Sequence, residues 1–222
     1  MVLNLQSLLW RALTVVGVVA TLLGCASAAM PEVMAKPLRK EIIQALTQKM
    51  EIISVNAGQP ERVLKRVPIQ GLLEGEVLIG MDYRISKGVL FALSQRGILY
   101  TLDSGTGVAT AVSKLPIIPA LSGNVFGFDF NPVADRIRVV SDTGQNLRLH
   151  PDTGVVAAVD ADLAYAAGDL QWNSKPELVA AAYTYNKQDE KLTTNYAIDR
   201  RLGAVVTQGS VEGVAPVVSP NS

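Results

Sequence analysis

A chain of 222 residues, 49% hydrophobic and 18% charged, is long enough and apolar enough to bury a core, which excludes a disordered chain. Lys plus Arg and Asp plus Glu both number 20, and Arg11 is the one charged residue before Cys25, so the rest carries 19 basic groups (20 − 1) against 20 acidic ones; no nucleic-acid partner is expected, since that demands a basic face. A single cysteine and a single histidine, His150, exclude an internal disulfide and metal sites built on several Cys or His ligands.

Residues 12–23 form an uncharged, mostly apolar run after Arg11. The run is shorter than the roughly 20 residues of a membrane span and has the size of a signal-peptide hydrophobic region. Leu22-Leu23-Gly24-Cys25 follows, and it resembles the lipobox of bacterial lipoproteins, whose cysteine is acylated. The resemblance implies a leader over residues 1–25, lipidation at Cys25, and, with Ala26 next, residence on the periplasmic side of the outer membrane. A second reading is ordinary cleavage near Ala26-Ser27-Ala28, which makes the protein soluble in the periplasm or secreted. Residues 26–40 read as a tether in which Pro31 and Pro37 block a long helix.

Residues 41–222 read as one repeat domain. Ala45-Leu46-Thr47-Gln48-Lys49 matches Ala92-Leu93-Ser94-Gln95-Arg96 at a spacing of 47. Gly80-Met81-Asp82-Tyr83 matches Gly127-Phe128-Asp129-Phe130, and Thr106-Gly107-Val108 matches Thr153-Gly154-Val155, at the same spacing. A weaker fourth copy runs through Tyr183-Thr184-Tyr185 and Tyr196–Asp199 to Gly203, shifted by about two residues. Each copy reads as short strands: Val89–Leu93 and Ile98–Leu102 joined by Ser94–Gly97, then Val108–Val112, and Val155–Val159 in the following copy. Residues 160–175 break the pattern and read as an insertion or a short helix. Residues 211–222 are rich in Pro and Ser and show no closing strand. The expected fold is all-β and β-propeller-like: about four antiparallel blade-like sheets of some 47 residues each, open or incomplete as a ring. No such sheet can bury both faces alone, so neighbours must stack.

The segment from Gly127 to Arg148 (GFDFNPVADRIRVVSDTGQNLR) closely resembles the core motif of domain-of-unknown-function family 4394. The resemblance extends from about Ile42 to about Val206. It implies an exported bacterial protein with a propeller-like β domain that commonly continues beyond the point where this chain stops. It supplies no catalytic residues.

Within the third copy, Asp129 and Asn131 are two apart and fall on one strand face, which Arg136, Arg138 and Arg148 are expected to share. Asp142 stands beside the Thr143-Gly144 turn. Together these six form the candidate ligand site, suited to a carboxylate, phosphate or sugar hydroxyl. The competing reading is structural: Asp and Asn bonding their own turns, and Arg–Asp pairs joining strands. Asp129 with Asp135 or Asp142 is a candidate Ca²⁺ site, although no D-x-D-x-D-G loop is present. His150 reads as a turn residue. No G-x-S-x-G, Walker or H-E-x-x-H pattern occurs, so no catalytic residue, resident metal or cofactor is assigned. The first functional reading is an exported, lipid-anchored binding or scaffold module for a small molecule or protein. The alternative is a periplasmic hydrolase or lyase acting on a sugar or lactone through Asp129 and Asp142, with Ca²⁺ as a candidate ion. A third is a subunit that completes its sheets with another chain.

Overall fold

The computed structural model describes residues 39–212. The leader, Cys25, the tether up to residue 38 and the last ten residues lie outside the described residues.

Among the described residues fourteen strands form four antiparallel sheets, and there is no helix. The first sheet is β1 (Ile42–Leu46), β2 (Glu51–Asn56) and β3 (Gln59–Pro68). The second is β4 (Leu78–Arg84), β5 (Val89–Ser94), β6 (Leu99–Leu102) and β7 (Ala109–Ala111). The third is β8 (Phe126–Asn131), β9 (Arg136–Ser141), β10 (Asn146–Leu149) and β11 (Val156–Val159). The fourth is β12 (Leu178–Tyr183), β13 (Asn195–Asp199) and β14 (Ala204–Gln208). Each sheet is a simple meander, so the hairpin turns set the register. At each β-hairpin of the type Ser94–Gly97 a left-handed residue is required: Gly97 has φ 82° and its counterpart Gly144 has φ 90°, while in the first sheet Met50 takes the position with φ 55°.

The 47-residue spacing places β5 on β9 and β6 on β10 residue for residue. The first sheet corresponds to β5–β7, and the partner of β4 maps to residues 31–37, outside the described residues. The fourth copy is displaced further than two residues. Gly203 turns β13 into β14 and therefore corresponds to Gly144, 59 residues earlier, because the β12–β13 connection adds seven residues (59 − 52) and the stretch between β11 and β12 adds five (52 − 47). That stretch forms turns and no helix. Asp169 Oδ1 accepts the Gln171 N–H at 2.7 Å and Ser174 Oγ donates to the Gln171 carbonyl at 2.7 Å, local bonds that compete with a helical ladder.

The sheets stack through their faces, as blades do. Phe91, Leu93 and Leu99 of the second sheet pack against Phe128, Phe130, Ile137, Val139, Leu147 and Leu149 of the third. Ile52 and Val67 pack against Leu90, Ala92, Tyr100 and Leu102, and Val140 packs against Leu178 and Ala197. Each fully buried side chain of this size contributes about 1.5–3 kcal/mol. The first strands of the last three sheets, β4, β8 and β12, lie side by side at the inner edge. The fold is β-propeller-like, and among the described residues its array of sheets is open.

Candidate functional site

Adjacent inner strands of a stacked array share no β-ladder, so their facing amides need partners from elsewhere. Here side chains supply them. Asp82 on β4 reaches forward and its Oδ2 accepts the Phe130 N–H of β8 at 2.8 Å. One sheet on, Asp129 Oδ2 accepts the Tyr183 N–H of β12 at 2.6 Å. The 47-residue repeat thus produces a carboxyl staple twice, and the two carboxyls are near enough to shift each other's titration. Burial pushes Asp82 above its ordinary value. Burial first, and then the Asp82 charge, push Asp129 up to about 8. The pair therefore shares a proton around neutral pH.

The sign of that shift makes stability depend on pH. The folded state holds the Asp129 proton more tightly than the unfolded chain, whose value is near 3.8. The stabilisation is complete below a pH of about 4 and is lost as pH rises through about 8. Asp129→Asn keeps an acceptor for Tyr183 and gains a donor toward Asp82, without titrating. Its urea midpoint is expected to stay flatter with pH and, above a pH of about 8, to exceed the wild type by on the order of 1 kcal/mol. Parallel profiles for the two proteins would refute the shared proton.

Arg138 lies opposite Asp129 in one register and opposite Arg148 in the next, so these three share the face turned toward the fourth sheet. Both arginines converge on Asp160, which the sequence did not single out. Arg138 binds one of its oxygens and Arg148 the other, the latter at 2.6 Å. Arg138 also donates to Asn146 Oδ1 at 2.7 Å and to the Tyr183 hydroxyl at 3.2 Å. Burial raises the Asp160 carboxyl, but the hydrogen bonds from Arg148 and Arg138 outweigh it and hold the group below its ordinary value.

Asn131 and Arg136, paired with each other two residues further along the same face, bond locally instead of joining this network, and Asp142 lies elsewhere. Asn131 Oδ1 accepts the N–H groups of Val133 and Ala134, each at 2.9 Å, and so shapes its own turn. Arg136 donates to the Asp135 carbonyl at 2.9 Å. Asp142 sits at the opposite end of the β8–β9 hairpin, where it accepts the Asn124 N–H at 2.9 Å and pairs with Arg200 at 3.2 Å. Asp129, Asn131, Arg138 and Asp142 do not meet in one concavity, because Asn131 and Asp142 stand at opposite ends of the same hairpin. Neither Asp135 nor Asp142 joins Asp129 as a carboxylate pair. Asp135 instead binds Arg84 at 2.7 Å, and Arg84 reaches Asp152 at 2.5 Å, which pushes Asp152 down to about 2. Among the described residues no group of three acidic, Cys or His side chains is placed to hold a metal. His150 is a turn residue, its Nδ1 accepting the Asp152 N–H at 3.2 Å.

Sequence reasoning missed Asp82, Arg84, Asp160 and Tyr183. Only Asp82 carried a signal, since it stands 47 residues before Asp129.

Two cavities flank the inner strands. One, of about 300 Å³, opens among the loops that follow β4, β8 and β12 and is lined by Arg84, Phe130, Asn131, Asp135, Tyr185 and Glu190. The other, of about 360 Å³, lies beside Asp82, between Gln44 and Tyr83.

Residues 51–222 match the family model of the domain of unknown function DUF4394. The chain belongs to that family. No curated protein matches this DUF4394 chain. Among solved structures, the computationally designed Ika4 protein aligns at 12% identity over 76% of this chain and 85% of its own, with a TM-score of 0.40. U3-55K aligns at 10% identity over 75% and 47%, with a TM-score of 0.38. The WD40 β-propeller domain of Doa1 aligns at 11% identity over 69% and 45%, also with a TM-score of 0.38. The DUF4394 chain spans about half the length of these last two structures.

Proposed function

We propose that this protein is an exported, lipid-anchored binding or scaffold module: a β-propeller-like body held at a membrane surface by Cys25. One observation carries the module reading. The charged side chains that looked most like chemistry, Asp129, Arg138, Asp142 and Arg148, each hold a neighbouring strand, turn or sheet in place. Recognition then falls to the loops around the 300 Å³ cavity, where Tyr185 and Glu190 face Arg84 and Asn131. The anchor rests on the sole cysteine standing at the end of Leu22-Leu23-Gly24-Cys25. Two or three acyl chains, at about 0.8 kcal/mol per buried methylene, suffice to hold a protein of this size on a bilayer.

Cys25→Ser is expected to abolish incorporation of labelled palmitate and to move the protein from the membrane fraction to the soluble one. An unchanged membrane fraction would sink the anchor. The hydrolase or lyase reading retains one specific support, a carboxyl held protonated near neutral pH at Asp129, with its partner Asp82 bordering the second cavity. It predicts turnover of a lactone or glycoside panel that Asp82→Asn abolishes, whereas the module reading predicts no turnover by either protein.

A further inference from the structure

Every internal junction in the array joins the forward face of one sheet to the backward face of the next, and both outermost faces have the composition of such a junction. In the second sheet the forward face carries Phe91, Leu93, Leu99 and Thr101, with Phe91 opposite Thr101 and Leu93 opposite Leu99. The fourth sheet repeats that arrangement. Tyr196 lies opposite Thr207 and Ile198 opposite Val205, on the side away from Ala197 and Val206, which face the third sheet. An aromatic ring, two aliphatic side chains and a threonine recur in the same places. In the second sheet they are covered; in the fourth, Tyr196, Ile198 and Val205 are 40%, 44% and 67% exposed. Ala180 and Ala182 complete this face beside Ile198 and Tyr196, and none of its six residues is charged.

The complementary surface lies at the other end of the array. What covers the second sheet is the backward face of the third: Phe128 and Phe130 of β8, whose counterparts in the first sheet fall outside the described residues, and Ile137, Val139, Leu147 and Leu149. Two 47-residue repeats earlier, those last four positions are Ile43, Ala45, Ile53 and Val55 of the first sheet, all apolar and cross-paired in the same way, Ile43 with Val55 and Ala45 with Ile53. They point away from Ile52 and Val67, which pack on the second sheet; Ile43 is 48% exposed, Ala45 and Ile53 are half-buried, and Val55 is buried at 7%, so the exposed part of this face is its Ile43 end. The Glu51–Arg66 ion pair, 3.1 Å long, stands on the same face, with Arg66 directly opposite Ile53.

We infer that the forward face of the fourth sheet is a docking surface for the first sheet of a second copy of this chain. The contact is head-to-tail, which closes when two chains exchange it reciprocally: two arrays of four sheets make one ring of eight. The argument for this occupant is continuity with the junctions already present, since the surface offered matches the second sheet and the surface received matches the third.

Sedimentation of the full chain, from sub-micromolar to tens of micromolar, is expected to show a particle of twice 23.7 kDa. Ile198→Arg and Ile43→Arg, each on an exposed side chain, are expected to leave the circular dichroism and thermal midpoint unchanged. Each should weaken dimerisation by roughly a hundredfold or more. An equimolar mixture of the two variants should partially recover the two-chain particle, because a single junction in the mixed ring is then unaltered. A wild-type monomer throughout overturns the proposal, whether residues 213–222 or the chain's own first sheet covers the face. A dimer broken by Ile198→Arg alone overturns the head-to-tail arrangement in favour of like faces meeting. A dimer indifferent to both substitutions overturns the surface itself.

Discussion

Asp160→Ala is expected to lower the free energy of unfolding by about 3 kcal/mol, seen as a lower urea midpoint at unchanged slope. The effect is large because one carboxylate neutralises two arginines that the sheet register forces together. Arg138 and Arg148 are directly opposed on β9 and β10, and like charges so placed repel. Arg138 and Asp160 are each only 15% exposed in their side chains, so Arg138 cannot turn to water when its partner is removed. Arg148, at 42%, can. Asp160→Asn retains an acceptor and should lose roughly half as much. Replacing Arg138 by Met in the Asp160→Asn background should restore some of the loss, because a buried charge left without its counter-ion, rather than a missing contact, is the cost. A loss below about 1 kcal/mol for Asp160→Ala would mean that the network behaves as an ordinary surface ion pair.

That network also marks the limit of what the sequence can reveal. The repeat was legible because turn chemistry is local: a hairpin between two apolar runs needs a residue at positive φ, and Gly97 and Gly144 recur where the geometry demands them. Spacing then transferred the strands from the second copy to the third, and the alternation of apolar residues gave their buried faces. The partners of the polar residues were not legible. Arg138 meets Asp160, Asn146 and Tyr183 across three different elements, and no spacing rule connects positions 138 and 183. The fourth copy was located but misplaced, since residues added both before Leu178 and between Tyr183 and Asn195 carry no period to count by. Strand alternation placed Asn131 on the face of Asp129, as the register has it, but Asp142 was grouped with them by closeness along the chain, whereas the hairpin sends it to the opposite end from Asn131. Asp82 was visible in the repeat, but its meaning needed the next sheet: the carboxyl exists to hold an amide of a strand 48 residues further on.

Gly127→Val is expected to destabilise the fold by about 3 kcal/mol or more, or to prevent folding. The reason is proximity, not backbone freedom. A Cβ at Gly127 would lie 2.6 Å from both the Ala180 carbonyl carbon and the Ala181 nitrogen of β12, and 2.8 Å from Val140 Cγ2. The backbone atoms cannot rotate aside, so the fourth sheet would have to move outward as a unit. That movement would draw the Tyr183 amide away from Asp129 Oδ2, now 2.6 Å distant, and loosen the Arg138–Tyr183 bond with it. Gly80 has the same role at the preceding junction, where a Cβ would meet Phe128 Cβ at 2.6 Å. There the obstructing atom is a Cβ, fixed by the Phe128 backbone, so Gly80→Val should cost about as much as Gly127→Val. Gly105→Ala, in a turn where the added carbon meets only Asp103 Oδ1 at 3.1 Å, should change stability by well under about 1 kcal/mol. Equal tolerance of all three substitutions would mean that the inner strands are not packed backbone against backbone, and the stacked-sheet account of the site would lose its geometric basis.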